Sequence, residues 1–231
     1  MTVCGGWSMV AQENGIRRHI TLWCRSWSCT DCAPKRRRSL IRLAKSGQPT
    51  KFLTLTIKDR DATPADQALL LSNAFRNLIK RWRRHKPNSQ IEFCAVFEPH
   101  PSSGRPHLHV IMRAPYTRQE WISRQMADLL DSPIVDIRAI TDRRKVAYYI
   151  AKYVTKSNIR FGTAKRYWTS KLYDLTKKTR KAAEDFPWPK WQVVKEPLWS
   201  LAEQMGNLGF AVRWITEHEF WHLPGERLKP G

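Results

Sequence analysis

Residues 91–113 read IEFCAVFEPHPSSGRPHLHVIMR, and this stretch decides the fold. Two apolar runs, 91–98 and 107–113, flank a segment rich in Pro, Ser and Gly, the composition of a turn, so the pair reads as a β-hairpin. Side chains alternate across a strand, which places Glu92, Cys94, Val96 and Glu98 on one face of the first run. In the second run His107 and His109 share a face and Leu108 points away. A hairpin of this length brings Glu98 near the two histidines.

Working outward, residues 52–57 (FLTLTI) alternate with β-branched content and form an expected strand. Thr63-Pro64-Ala65-Asp66 supplies an N-cap and a first-turn proline for an amphipathic helix running to about Arg84. Beyond the hairpin, Trp121, Ile122, Met126, Leu129 and Leu130 recur at helical spacing and stop near Asp131-Ser132-Pro133. PIVDIRAI then reads as a further strand. The order strand, helix, strand, strand, helix, strand predicts an α+β fold: a ferredoxin/RRM-like antiparallel sheet with helices on one face.

A last helix is expected at about 143–157, with Ala147, Ile150, Ala151 and Val154 as its apolar stripe. Tyr149 and Tyr153, four apart, present two phenols on one face, and Lys152 and Lys156 each follow a tyrosine by three. Three segments result: a Cys-rich, basic N-terminal appendage over 1–50, the core over 51–157, and a basic, Trp-rich C-terminal extension over 158–231, expected to pack on the core. In that extension LWSLAEQM, ended by Gly206, reads as a helix and FAVRWI as a short strand.

Composition narrows the partners. There are 41 Lys and Arg against 20 Asp and Glu, a net charge of +21, so a polyanion is expected. Cations cluster at 35–38, 80–86, 143–145 and 165–181, and 11 tryptophans are interleaved with them. Cations neutralise phosphates while aromatic faces stack on unpaired bases, which suits single-stranded nucleic acid. Arg36, Arg37, Arg83, Arg84, Arg143, Arg144, Lys165 and Arg166 are the candidate strand contacts. No run is long enough to span a membrane and the N-terminus lacks a signal pattern, so a cytoplasmic protein is expected.

Two constellations carry metal chemistry. His107, His109 and Glu98 offer two imidazoles and a carboxylate, leaving positions open for water or phosphate oxygens, a set suited to Mg²⁺ or Mn²⁺. His100, in the turn, is expected in solvent. Cys24, Cys29 and Cys32 with Cys4 could close a tetrahedral zinc site, with His19 as an alternative to Cys4. Cys94, alone in a strand, reads as a buried thiol.

The stretch from Glu98 to His109, followed by Tyr149-Ile-Ala-Lys152-Tyr153-Val-Thr-Lys156, resembles the HUH endonuclease superfamily. The doubled tyrosine is most similar to rolling-circle replication initiators of small single-stranded DNA phages and plasmids. The resemblance covers roughly residues 52–157. It implies origin nicking and rejoining through a 5′-phosphotyrosine intermediate, with His107, His109 and Glu98 as metal ligands, Tyr149 and Tyr153 as nucleophiles and Lys152 and Lys156 as their companions. It also implies single-stranded origin DNA as substrate, a host helicase and polymerase as partners, and the host cytoplasm as the site of action. No GxxxxGK[ST] phosphate loop is present, so unwinding is expected from a partner. A transposase or relaxase would use the same chemistry. A non-enzymatic single-strand binder would explain the charge, but not the tyrosine helix.

Overall fold

The computed structural model describes residues 4–156, 161–176 and 190–225. In chain order its elements are β1 (Trp7–Glu13), β2 (Ile16–Leu22), α1 (Cys32–Ser46), β3 (Lys51–Thr56), α2 (Pro64–His85), β4 (Glu92–Pro99) and β5 (Pro106–Arg113). They continue with α3 (Gln119–Leu130), β6 (Val135–Ala139), α4 (Arg143–Lys156), β7 (Tyr167–Thr169), β8 (Gln192–Val194), α5 (Leu198–Asn207), β9 (Arg213–Thr216) and β10 (Glu219–His222). The fold is α+β, with two antiparallel five-stranded sheets. The chain divides into two compact units, one from residues 35–179 and one from residues 1–34 with 180–231.

In the 35–179 unit the strand order is β6-β3-β5-β4-β7. Alternation sorts the strands into two faces. Leu53 and Leu55, Ala95 and Phe97, Leu108, Val110 and Met112 turn to one side. There they form a single core with Leu71, Phe75, Leu78 and Trp82 of α2 and Ile122, Met126 and Leu130 of α3. The N-cap of α2 forms as its residues dictate: Thr63 accepts from the Asp66 amide at 3.2 Å, with Pro64 opening the helix. These two helices share one face, as expected. α4 does not join them: its Tyr149 and Tyr153 rings meet Phe52 and His109 on the opposite face. Its apolar stripe, Ala147, Ile150, Ala151 and Val154, is buried.

Part of the expected C-terminal extension belongs to this sheet. β7 pairs with Cys94–Val96 of β4, and the buried Tyr173 donates from its hydroxyl to the Ala44 carbonyl at 2.8 Å. The Tyr173 ring lies so close over Gly47 that a Cβ there would collide with it.

The other unit is a sheet of order β8-β1-β2-β10-β9, built from both ends of the chain. The N-terminal stretch, in which the sequence shows little periodicity, is a β-hairpin turning at Asn14-Gly15. Both residues have positive φ, 51° and 76°, as a two-residue primed turn requires. One face is covered by Leu198 and Leu201 of α5 packed on Phe220. Residues 186–189, in the segment FPWPKW, lie outside the described residues. No described helix is long and apolar enough to cross a membrane.

Candidate active site and nucleic-acid interface

The histidine face of the 35–179 sheet gathers the predicted site residues by register. In the β4–β5 pair Glu98 stands opposite His107 and Val96 opposite His109; in the β3–β5 pair Thr56 stands opposite His107 and Thr54 opposite His109. The His107 and His109 rings are nearly parallel, 6.5 Å apart between centroids. His109 Nε2 and Glu98 Oε2 are 2.6 Å apart. On their other sides the rings touch hydroxyls: Thr54 Oγ1 lies 3.1 Å from His109 Nδ1 and Thr56 Oγ1 lies 2.9 Å from His107 Nδ1. Burial holds both imidazoles below the usual histidine value, His109 at about 4 and His107 with added repulsion from His109. They are therefore neutral near pH 7, the state in which an imidazole can ligate a cation.

The tyrosine helix lies over this group. The Tyr153 ring stacks on His109 at 4.9 Å, Tyr149 meets His109 edge-on at 6.2 Å, and the two phenol rings are 4.5 Å apart at 87°. Their environments differ. Tyr149 is 43% exposed, whereas burial, the hydrogen bond with Tyr149 and the charge of Glu98 push the Tyr153 phenol well above the ordinary tyrosine value. Lys152 is exposed on the same helix; Lys156 closes it, and its side chain lies outside the described residues.

Further neighbours complete the site, and the sequence did not point to them. His100, expected in solvent, is half-buried and stacks on His107 at 5.3 Å, its Nδ1 lying 3.1 Å from the Ser102 hydroxyl. Phe52 supports both His109 and Tyr149. The two threonines stand on the histidine face because FLTLTI alternates. The alternation is visible in the sequence; the pairing of β3 with β5, which sets what faces them, is not.

A groove of about 1110 Å³ runs along α2 and is closed on its far side by residues 161–165 and 168–172. Arg76, Lys80 and Arg83 line one wall at a spacing of four and three, a single helical face, with Lys165 and Lys171 opposite. Arg83 and Lys165 are thus brought together, joined by three cations not singled out from the sequence. Arg83 also donates to the Ile91 carbonyl at 3.0 Å. Other predicted contacts separate: Arg37, Arg84 and Arg144 are exposed elsewhere on this unit and Arg36 is half-buried. Arg143 donates to the Pro49 carbonyl at 3.3 Å, and Arg166 is turned onto α4, donating to the Val154 carbonyl at 2.9 Å.

The cysteines converge as expected. The sulfurs of Cys4, Cys24, Cys29 and Cys32 lie within 4.8 Å of one another and could hold a metal such as zinc. Cys4 and Cys32 are 3.4 Å apart. The Cys32 amide donates to Cys29 Sγ, which lowers that thiol to about 7. His19 is not part of this group. It lies in β2, stacked on Phe220 at 4.4 Å and 5.1 Å from His222. Cys94 is a buried thiol pushed up to about 12 by burial.

Residues 50–158 match the family model of replication-associated proteins of the ORF2 type, just under half of the 231-residue chain. The match runs from β3 to the end of α4, the elements that carry the histidines, Glu98 and both tyrosines. No curated protein and no solved structure matches the chain.

Proposed function

We propose that this chain is an HUH-type endonuclease and strand transferase that nicks single-stranded DNA at an origin and rejoins the ends to start and end rolling-circle replication. The observation that carries the reading is the placement of His107, His109, Glu98, Tyr149 and Tyr153 on one sheet face, within the segment that matches a replication-associated family. The β-α-β-β-α-β order and the strand order β6-β3-β5-β4 suit the ferredoxin-like core of that superfamily.

His107, His109 and Glu98 are the residues that would hold a divalent cation, Mg²⁺ or Mn²⁺, and the donor set fits: both Nδ1 atoms are engaged by threonines, leaving the Nε2 side for a ligand. When bound, such a cation polarises the scissile phosphate and offsets charge on its non-bridging oxygens. The protein's own steps centre on the phenols. A tyrosine oxygen attacks phosphorus, the new P–O bond leaves a 5′-phosphotyrosine, and the broken P–O bond departs with a proton as the free 3′-hydroxyl. The phenol proton passes to solvent or a neighbouring base. Tyr149, the more exposed ring, takes the first strand; Tyr153, beside it, serves the second transfer without release of the first. The cationic groove along α2 holds the strand by its phosphates.

The test is incubation with Mn²⁺ and labelled single-stranded DNA, read on a denaturing gel. A covalent adduct is expected. Tyr149→Phe removes most of the initial adduct, Tyr153→Phe spares it but blocks strand transfer, and the double variant forms none. If no candidate origin yields an adduct that depends on either tyrosine, the enzymatic reading is lost.

A further inference from the structure

We infer that Thr54 and Thr56 are positioning residues whose hydroxyls serve both tautomers of the histidines, so that His109 changes tautomer when a cation displaces Glu98 from it. The inference rests on the metal-binding reading above and deepens it.

The argument begins with what each atom can do. A carboxylate only accepts, so the 2.6 Å contact between His109 Nε2 and Glu98 Oε2 requires the proton on Nε2. His109 is neutral near pH 7, so its Nδ1 then carries a lone pair and accepts from the Thr54 hydroxyl at 3.1 Å. Ligation reverses every role. An imidazole that gives its Nε2 lone pair to a cation must carry its proton on Nδ1, and Nδ1–H then donates to Thr54 Oγ1. The proton leaves Nε2 and one arrives at Nδ1, so the charge of the ring is unchanged.

A hydroxyl is suited to this exchange because it both donates and accepts. A backbone carbonyl or a carboxylate at the same place would accept only. It would stabilise the ligating tautomer permanently and set it against the bond to Glu98. Thr56 stands in the same relation to His107, at 2.9 Å. The repeat of two along β3 matches the repeat of two along β5, so one pairing register supplies one hydroxyl to each histidine. Neither hydroxyl has a packing reason to be polar, since valine has nearly the same shape.

Two measurements on the full-length protein test this. Imidazole ¹⁵N NMR of the metal-free protein is expected to show His109 protonated at Nε2, moving to Nδ1 on saturation with Mg²⁺. Mn²⁺ affinity, measured by electron paramagnetic resonance, is expected to fall about 10- to 100-fold in Thr54→Val and in Thr56→Val, the usual range for lost outer-shell partners. Thr54→Ser and Thr56→Ser, which keep the hydroxyl, are expected to restore it. A metal-free His109 already protonated at Nδ1, or valine variants with unchanged Mn²⁺ affinity, would overturn the inference. Because neither readout uses DNA, an intact tautomer change with no covalent adduct would sink the nuclease reading alone.

Discussion

At the scale of single residues, environment separates side chains of the same type. Cys29 and Cys94 are both thiols, yet the Cys32 amide draws Cys29 down to about 7 while burial sends Cys94 up to about 12. After chelation of metal, iodoacetamide at pH 7 should therefore label Cys29 first and leave Cys94 unmodified, as read by peptide mass spectrometry. The rate should fall as pH drops below 7, because the thiolate fraction falls. Adding Zn²⁺ should protect Cys4, Cys24, Cys29 and Cys32 together. Labelling of Cys29 that ignores zinc would remove these four as a shared site. The tyrosine pair divides in the same way: one phenol is exposed and the other is stacked on His109.

At the scale of elements, two close packings carry testable consequences. Gly47, after α1, lies under the Tyr173 ring, whose hydroxyl bonds Ala44. Gly47→Ala must displace that ring, and overpacking of this kind typically costs about 1–3 kcal/mol. A lower urea midpoint with unchanged slope is expected, and an unchanged midpoint would show that the ring can move freely. In the second sheet His19 and His222 are buried, and their ring nitrogens lack hydrogen-bond partners among the described residues. Burial holds His19 at about 4 and lowers His222 as well. A histidine whose folded value lies below its unfolded value of about 6.5 binds its proton more readily when unfolded. Its stabilising effect is complete above about pH 6.5 and is lost as pH falls toward 4. Imidazole NMR signals of both residues should fail to titrate between pH 7.5 and 5.5; a midpoint near 6.5 for either would contradict their burial.

At the scale of the whole molecule, a net charge of +21 makes any association with nucleic acid steeply dependent on salt. Each phosphate neutralised on a single strand contributes about 0.7 to the slope of log affinity against log salt. Arg76→Ala with Lys80→Ala, on the exposed side of α2, should weaken binding of unspecific single-stranded DNA and lower that slope by about 1.4. The adduct formed on a short oligonucleotide at saturating concentration should persist. A slope that does not move would take the groove out of the path of the strand.

What the amino-acid order determines by itself is local. Periodicity of two and of 3.6 marks β3 to β6 and α2 to α4 to within a few residues, because apolar spacing and capping chemistry act over one or two turns. The same rules place His107 with His109 and Tyr149 with Tyr153. The hairpin of β1 and β2 is legible too: Asn14-Gly15 is its turn signal, obscured by polar residues on both strands. Tertiary structure alone decides the rest. Which strand lies beside β5 sets Thr54 and Thr56 against the histidines, and which face α4 covers sets the phenols over His109. Strands from opposite ends of the chain share a sheet, and cations from α2 and from residues beyond α4 share a groove. These are contacts between residues far apart in sequence, fixed by burial of a common core, and no local pattern encodes them.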